Sequence, residues 1–124
     1  MSLTAQLAGI IRQTTFESLA AADVSIAKRL IADGVAVAVA GSSEAAPRMF
    51  AAHVREQGGR ELCPVWGFGF RTAPVAAAYA NAVSMHVLDF EPMSNPSTHA
   101  VSPTVPVAFA LALRDGCDGR ELLT

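Results

Sequence analysis

Five stretches of this chain carry apolar residues at helical spacing, and that pattern commits most of the backbone to α-helix. Leu3, Leu7, Ile10 and Ile11 make Leu3–Arg12 a short amphipathic helix, with Phe16 and Leu19 in the connector after it. From Asp23, a plausible N-cap, Val24, Ala27, Leu30, Ile31, Val35 and Ala38 fall on one stripe while Lys28 and Arg29 face away. The alternating run Val35–Ala40 also fits a strand, but its three alanines and the continuous stripe favour helix. Gly41-Ser42-Ser43 ends this helix and caps the next, Ala45–Gln57, where Pro47 suits the first turn and Gly58-Gly59 supplies the stop. Glu61–Phe70 reads as extended or irregular, with Trp66, Phe68 and Phe70 as core anchors. Thr72 then caps a helix from Pro74 to Val87, whose alanines predict close helix–helix packing, and Val105–Leu113 is the last helix.

The chemistry-bearing residues gather between the last two helices. Asn81–Pro106 holds His86 and His99, Asp89 and Glu91, and four prolines, in a chain otherwise dominated by Ala, Val and Leu. Titratable groups in an irregular loop between rigid elements are the usual appearance of a site. Asp89 lies three residues after His86, so the two share a face if the helix persists, and a local helix-end hydrogen bond is the alternative. Glu91 and Asn95 are candidate substrate ligands, with simple solvation of a loop as the competing reading. His53, beside Arg55 and Glu56 on a helix, reads as a solvated or packed residue.

Composition bears on what this surface meets. Hydrophobic residues make up 52% of the 124 positions and charged residues 16%, whereas soluble domains carry about 25% charged residues. So small a domain exposes much of its surface, and the shortfall implies large buried faces, in an oligomer or in a bigger fold. The net charge of −2 and the scattered basic residues give no footprint for nucleic acid or an anionic membrane. Lys28 is the only lysine, so a lysine-rich anion pocket cannot be built from these residues. Cys63 and Cys117 lack metal-ligand spacing and read as two buried thiols in a cytoplasmic protein. The glycines at 58, 59, 67 and 69 form no phosphate loop.

Asp118-Gly119-Arg120-Glu121 has the form of a capping box, with only three residues after it. A helix that short is marginal without tertiary support, so residues 1–124 are expected to be a partial N-terminal helical domain, truncated at 124.

Ala27–Leu123 resembles the N-terminal part of the MmgE/PrpD family of lyases and isomerases. The pieces that carry the resemblance are AKRLIADGVAVAVAGS, a helix ending in REQGG, ANAVSMHVLDF, the loop NPSTHAVSPTVP and a closing G-x-x-G-R-E-L-L, all in the family's order. The resemblance implies a mainly α fold: the first portion of a large helical domain, with the family's α+β lid domain absent. It implies a cofactor-independent lyase or isomerase, such as a 2-methylcitrate dehydratase-like hydro-lyase, acting on small di- or tricarboxylates with no metal or iron–sulfur cluster. It also implies a homodimer. By motif position Asp89 and His99 fall on residues lining the active site, His86 on the histidine three before the aspartate, and Asn81 on the asparagine of the preceding helix. Three positions depart from the pattern: Pro92 replaces an acid, Met93 a hydroxyl residue and Ala100 a proline.

Eliminating water or carbon dioxide needs a base near the acidic C–H, an acid near the leaving group and cations on the carboxylates. Histidine suits the first two roles near neutral pH. His99 and Asp89 are therefore the catalytic candidates, and Asn95, His86 and Glu91 the substrate-binding ones. The isolated segment is expected to be inactive, since the family's lysines and second histidine would lie beyond it. The alternative from another class is a non-catalytic, self-associating helical module or a remnant of such an enzyme.

Overall fold

The computed structural model describes residues 2–94 and 98–124 and is mainly helical. Helices α1 (Leu3–Gln13), α2 (Ala21–Gly41), α3 (Ala45–Gln57), α4 (Pro74–His86) and α5 (Val101–Asp115) are joined by two small antiparallel hairpins. β1 (Cys63–Val65) pairs with β2 (Phe70–Thr72) in the register Cys63 to Thr72, and β3 (Met93–Ser94) pairs with β4 (Thr98–His99). None of the described helices is long and apolar enough to cross a membrane.

Helix α4 is the hub. It packs against α2, α3, α5 and β1, and its small residues Ala77, Ala78, Ala80 and Ser84 are buried. Side chains of one or two heavy atoms let helix axes approach closely, as the alanine content predicts. α2 answers with glycine: a side chain at Gly41 would collide with the Ser84 carbonyl oxygen, and one at Gly34 would meet Val101 Cγ1 at 2.7 Å. One core cluster joins Val54, Cys63, Val65, Ala77, Ala80 and Ala110, and a second joins Ala38, Met85 and Val101. Fully burying a valine or methionine stabilises by about 1.5–3 kcal/mol, so Val65 and Met85, both essentially inaccessible, are the chief anchors.

The aromatic segment is tied to α4 by Asn81. Its carboxamide oxygen accepts from the Trp66 amide at 2.8 Å, and its nitrogen donates to the Pro64 carbonyl at 3.0 Å. Phe68 and Phe70 pack on the first cluster and Trp66 on the second, as expected of anchors. The Trp66 ring also meets Phe109 edge-on at 5.4 Å.

Several local expectations give way. The second helix starts at Ala21, so Asp23 lies in its first turn, where its charge complements the helix dipole, rather than at the N-cap. The residue before α4 is Ala73; Thr72 is the end of β2 and donates from its hydroxyl to the Gly58 carbonyl. The last long helix begins at Val101 instead of Val105. Pro103 falls in its first turn, where a proline forfeits no intrahelical bond, and Pro106 lies inside the helix. Cys63 is buried as expected, whereas Cys117 is exposed just past the end of α5. The capping box forms in full: Asp118 Oδ1 accepts from the Glu121 amide at 3.0 Å and Glu121 Oε2 accepts from the Asp118 amide at 2.8 Å.

Candidate functional site

Three chain segments converge at one end of α4. The helix stops at His86, which places a histidine in its last turn, where a positive charge suits the helix dipole. The Asp89 amide donates to the His86 carbonyl at 3.0 Å, and Asp89 takes a positive φ of 56°. This left-handed conformation costs a non-glycine residue roughly 1–2 kcal/mol, though Asp tolerates it better than most. The reversal turns Glu91 inward, and the β3–β4 hairpin brings His99 back over it immediately before α5.

Glu91 lies at the centre, its side chain fully buried. Its Oε1 accepts from His86 Nδ1 at 2.7 Å and sits 3.3 Å from His99 Nδ1. Its Oε2 accepts from the Ser102 amide at 2.5 Å, and the Ser102 hydroxyl adds a further bond. Burial pushes the Glu91 carboxyl up, but the Ser102 hydroxyl, His86, the Ser102 amide and the nearby His99 together outweigh it and hold the group below its ordinary value. Ser102 is one of the free amides of the first turn of α5, so Glu91 serves as that helix's N-terminal cap from eleven residues upstream.

His99 lies between two carboxylates. Its Nε2 is 3.3 Å from Asp89 Oδ1, whose side chain is largely exposed, and its Nδ1 faces buried Glu91. At Nδ1 the alignment falls short of a hydrogen bond, and among the described residues this buried nitrogen has no other partner. The His86 and His99 rings meet edge to face, with centroids 4.8 Å apart.

The structure thus brings together four of the five expected site residues, His86, Asp89, Glu91 and His99. The fifth, Asn95, lies outside the described residues. Asn81, on the family's motif, is 3% exposed and holds the β1–β2 hairpin. His53 is exposed and pairs with Gln57, as a solvated helix residue would. Ser102 is the participant that sequence reasoning missed, because its stretch was read as loop.

Donor atoms of His86, Glu91 and His99 lie within 4.8 Å of one another, a two-imidazole, one-carboxylate set of the kind divalent cations accept. A carboxylate offers about four lone-pair positions. Two Ser102 donors and the two imidazoles already face them here. The arrangement holds two imidazole rings against one buried carboxylate. An apolar groove elsewhere, between α4 and α5, is lined by Pro74, Val75, Tyr79, Val107, Leu111 and Arg114 and contains no acid or histidine.

Residues 5–124 match the family model of the MmgE/PrpD N-terminal domain. Over 112 residues the chain is 29% identical to the cis-aconitate decarboxylase of Mus musculus, an alignment that covers 90% of this chain and 23% of that protein. The chain therefore spans about a quarter of the length of the curated relative it matches.

Proposed function

Because the chain belongs to the MmgE/PrpD family, we propose that it supplies the His99–Asp89 side of the active site of a cofactor-independent lyase or isomerase acting on small di- or tricarboxylates. The observation that carries this reading is the position of His99, with one nitrogen toward a buried carboxylate and the other toward an exposed one. The outer nitrogen, Nε2, is the proton-transfer atom. It removes or returns a proton at the carbon next to a substrate carboxylate, and Asp89 orients the ring or the substrate. His86, whose side chain is 55% exposed, stands beside it as a substrate contact. Asn95, outside the described residues, stays a substrate-binding candidate on its place in the sequence alone.

Dehydration, decarboxylation and epimerisation all pass through loss of a proton or a carboxylate next to an activating group, so one site supports any of them. The likeness to a cis-aconitate decarboxylase favours decarboxylation, and the departures at Pro92 and Met93 favour a substrate with fewer hydroxyls than the family's hydroxyacids. The exposed apolar residues Leu3, Leu7, Ile10 and Ile11 of α1 support the expectation of a homodimer.

The test is to incubate the protein, as its native gene expresses it, with a panel of small di- and tricarboxylates in deuterated water and follow them by proton NMR. Deuterium incorporation or product formation with one member supports the reading. A panel untouched by protein whose fold is verified overturns it.

A further inference from the structure

We propose that Glu91 is the positioning residue of this site: it keeps a hydrogen on His99 Nδ1, so that Nε2 is the atom that exchanges protons, and it does so without touching substrate. The inference deepens the proton-transfer reading of His99 and depends on it for its kinetic consequence, though not for its structural one.

Enclosure of the carboxylate is the first ground. Glu91 has no exposed side-chain surface, and its oxygens face Ser102 N–H, the Ser102 hydroxyl, His86 Nδ1 and His99 Nδ1. Three of its roughly four accepting positions are taken by His86 and Ser102 and the fourth faces His99 Nδ1, so no position opens toward an incoming ligand. Its function is exercised on the protein groups around it.

Asymmetry about the imidazole is the second. Both nitrogens of His99 face carboxylate oxygens at 3.3 Å. Glu91 is buried and fixed by the start of α5, whereas Asp89 is 77% exposed in its side chain. Substrate can displace the exposed partner but not the buried one. When the ring gives up one hydrogen, the one facing the immobile carboxylate is retained, because two facing acceptors would repel.

The third ground is the unfinished bond. His99 Nδ1 is buried and within reach of Glu91 Oε1, yet it lacks hydrogen-bond alignment and, among the described residues, any other partner. Catalytic hydrogen bonds are often long or misaligned without substrate and tighten when it binds. Here a small rotation of the His99 ring completes Nδ1–H···Oε1 and re-aims Nε2 outward. The same carboxylate anchors the end of α4 through His86 and the start of α5 through Ser102. It therefore sets the ring against two rigid elements rather than against the loop.

Two-bond proton–nitrogen NMR of the natively expressed protein, labelled with nitrogen-15 at histidine, tests the proposal directly. As pH rises and the ring becomes neutral, His99 is expected to keep its hydrogen on Nδ1; a neutral ring bearing it on Nε2 overturns the proposal without any variant. Glu91→Gln then separates positioning from structure, since its amide oxygen can still accept from Ser102. The expected result is a mixed or reversed His99 tautomer and a kcat lower by about 10- to 100-fold, the loss typical when a metal-bound histidine loses the carboxylate that orients it. KM should change little. A KM increase at unchanged kcat would instead make Glu91 a substrate ligand. If no polycarboxylate is turned over, the lyase reading fails, while the tautomer measurement still decides the role of Glu91.

Discussion

Met93 sits directly across the β3–β4 ladder from His99. Directly opposed residues of an antiparallel pair project to the same face, with Cβ atoms about 5 Å apart. Met93, at the position where the family resemblance implies a hydroxyl, is thus a neighbour of the proposed catalytic ring, and it is largely exposed. Met93→Thr restores a donor there. With a hydroxyl-bearing polycarboxylate, KM should fall about five-fold, the worth of one hydrogen bond of roughly 1 kcal/mol, with kcat little changed. Steady-state kinetics of the natively expressed protein check this, and an unchanged or higher KM would separate Met93 from the substrate.

Gly41 of α2 lies against the Ser84 carbonyl of α4, with no room for a Cβ at Gly41. Gly41→Ala should destabilise by about 1–3 kcal/mol, the usual cost of overpacking. Gly9, in α1 with open space around it, is the control. There, Gly→Ala should be neutral or stabilising by up to about 1 kcal/mol through helix propensity. Urea denaturation of the two variants gives the comparison, and equal effects would contradict the packing described.

Asp89 combines a left-handed backbone with a carboxylate on His99. Glycine relieves the backbone cost but removes the acid. Asp89→Gly should hold or raise the melting temperature while turnover falls, and Asp89→Val should lower both. Full activity in the glycine variant would reduce Asp89 to a turn residue.

Glu91 links stability to pH. Its carboxyl is held below its ordinary value of 4.5 in the folded chain, so the unfolded chain binds more protons as the solution is acidified. The stabilisation is fully present above that ordinary value and is lost as pH falls through the lower folded value. Glu91→Gln should therefore flatten the dependence of unfolding free energy on pH on the acid side of 4.5. Denaturation at a series of pH values measures it; parallel curves for the two proteins would show that Glu91 carries no such linkage.

The helices were legible because their cause is local. The stripe of α2 and the glycine stop after α3 are written in residue spacing, and the Asp118–Glu121 box needs only its own four residues. What escaped is non-local. The start of α5 at Val101 depends on a cap that comes from Glu91, which no window around Ser102 contains. Glu91 reads as a solvated loop acid until the reversal at Asp89 turns it inward. The gathering of His86, Asp89 and His99 could be anticipated from their crowding in one loop, but not that each of the two histidines would present a nitrogen to the same carboxylate oxygen.

The most direct measurement is turnover of a polycarboxylate substrate by the natively expressed protein and its His99→Ala variant, with circular dichroism and melting temperature recorded on both. The expected result is a loss of kcat/KM of at least about 100-fold, the lower end of what a proton-transfer group contributes, with fold and melting behaviour preserved. Activity retained within a few-fold in a folded His99→Ala protein would contradict the assignment of proton transfer to His99.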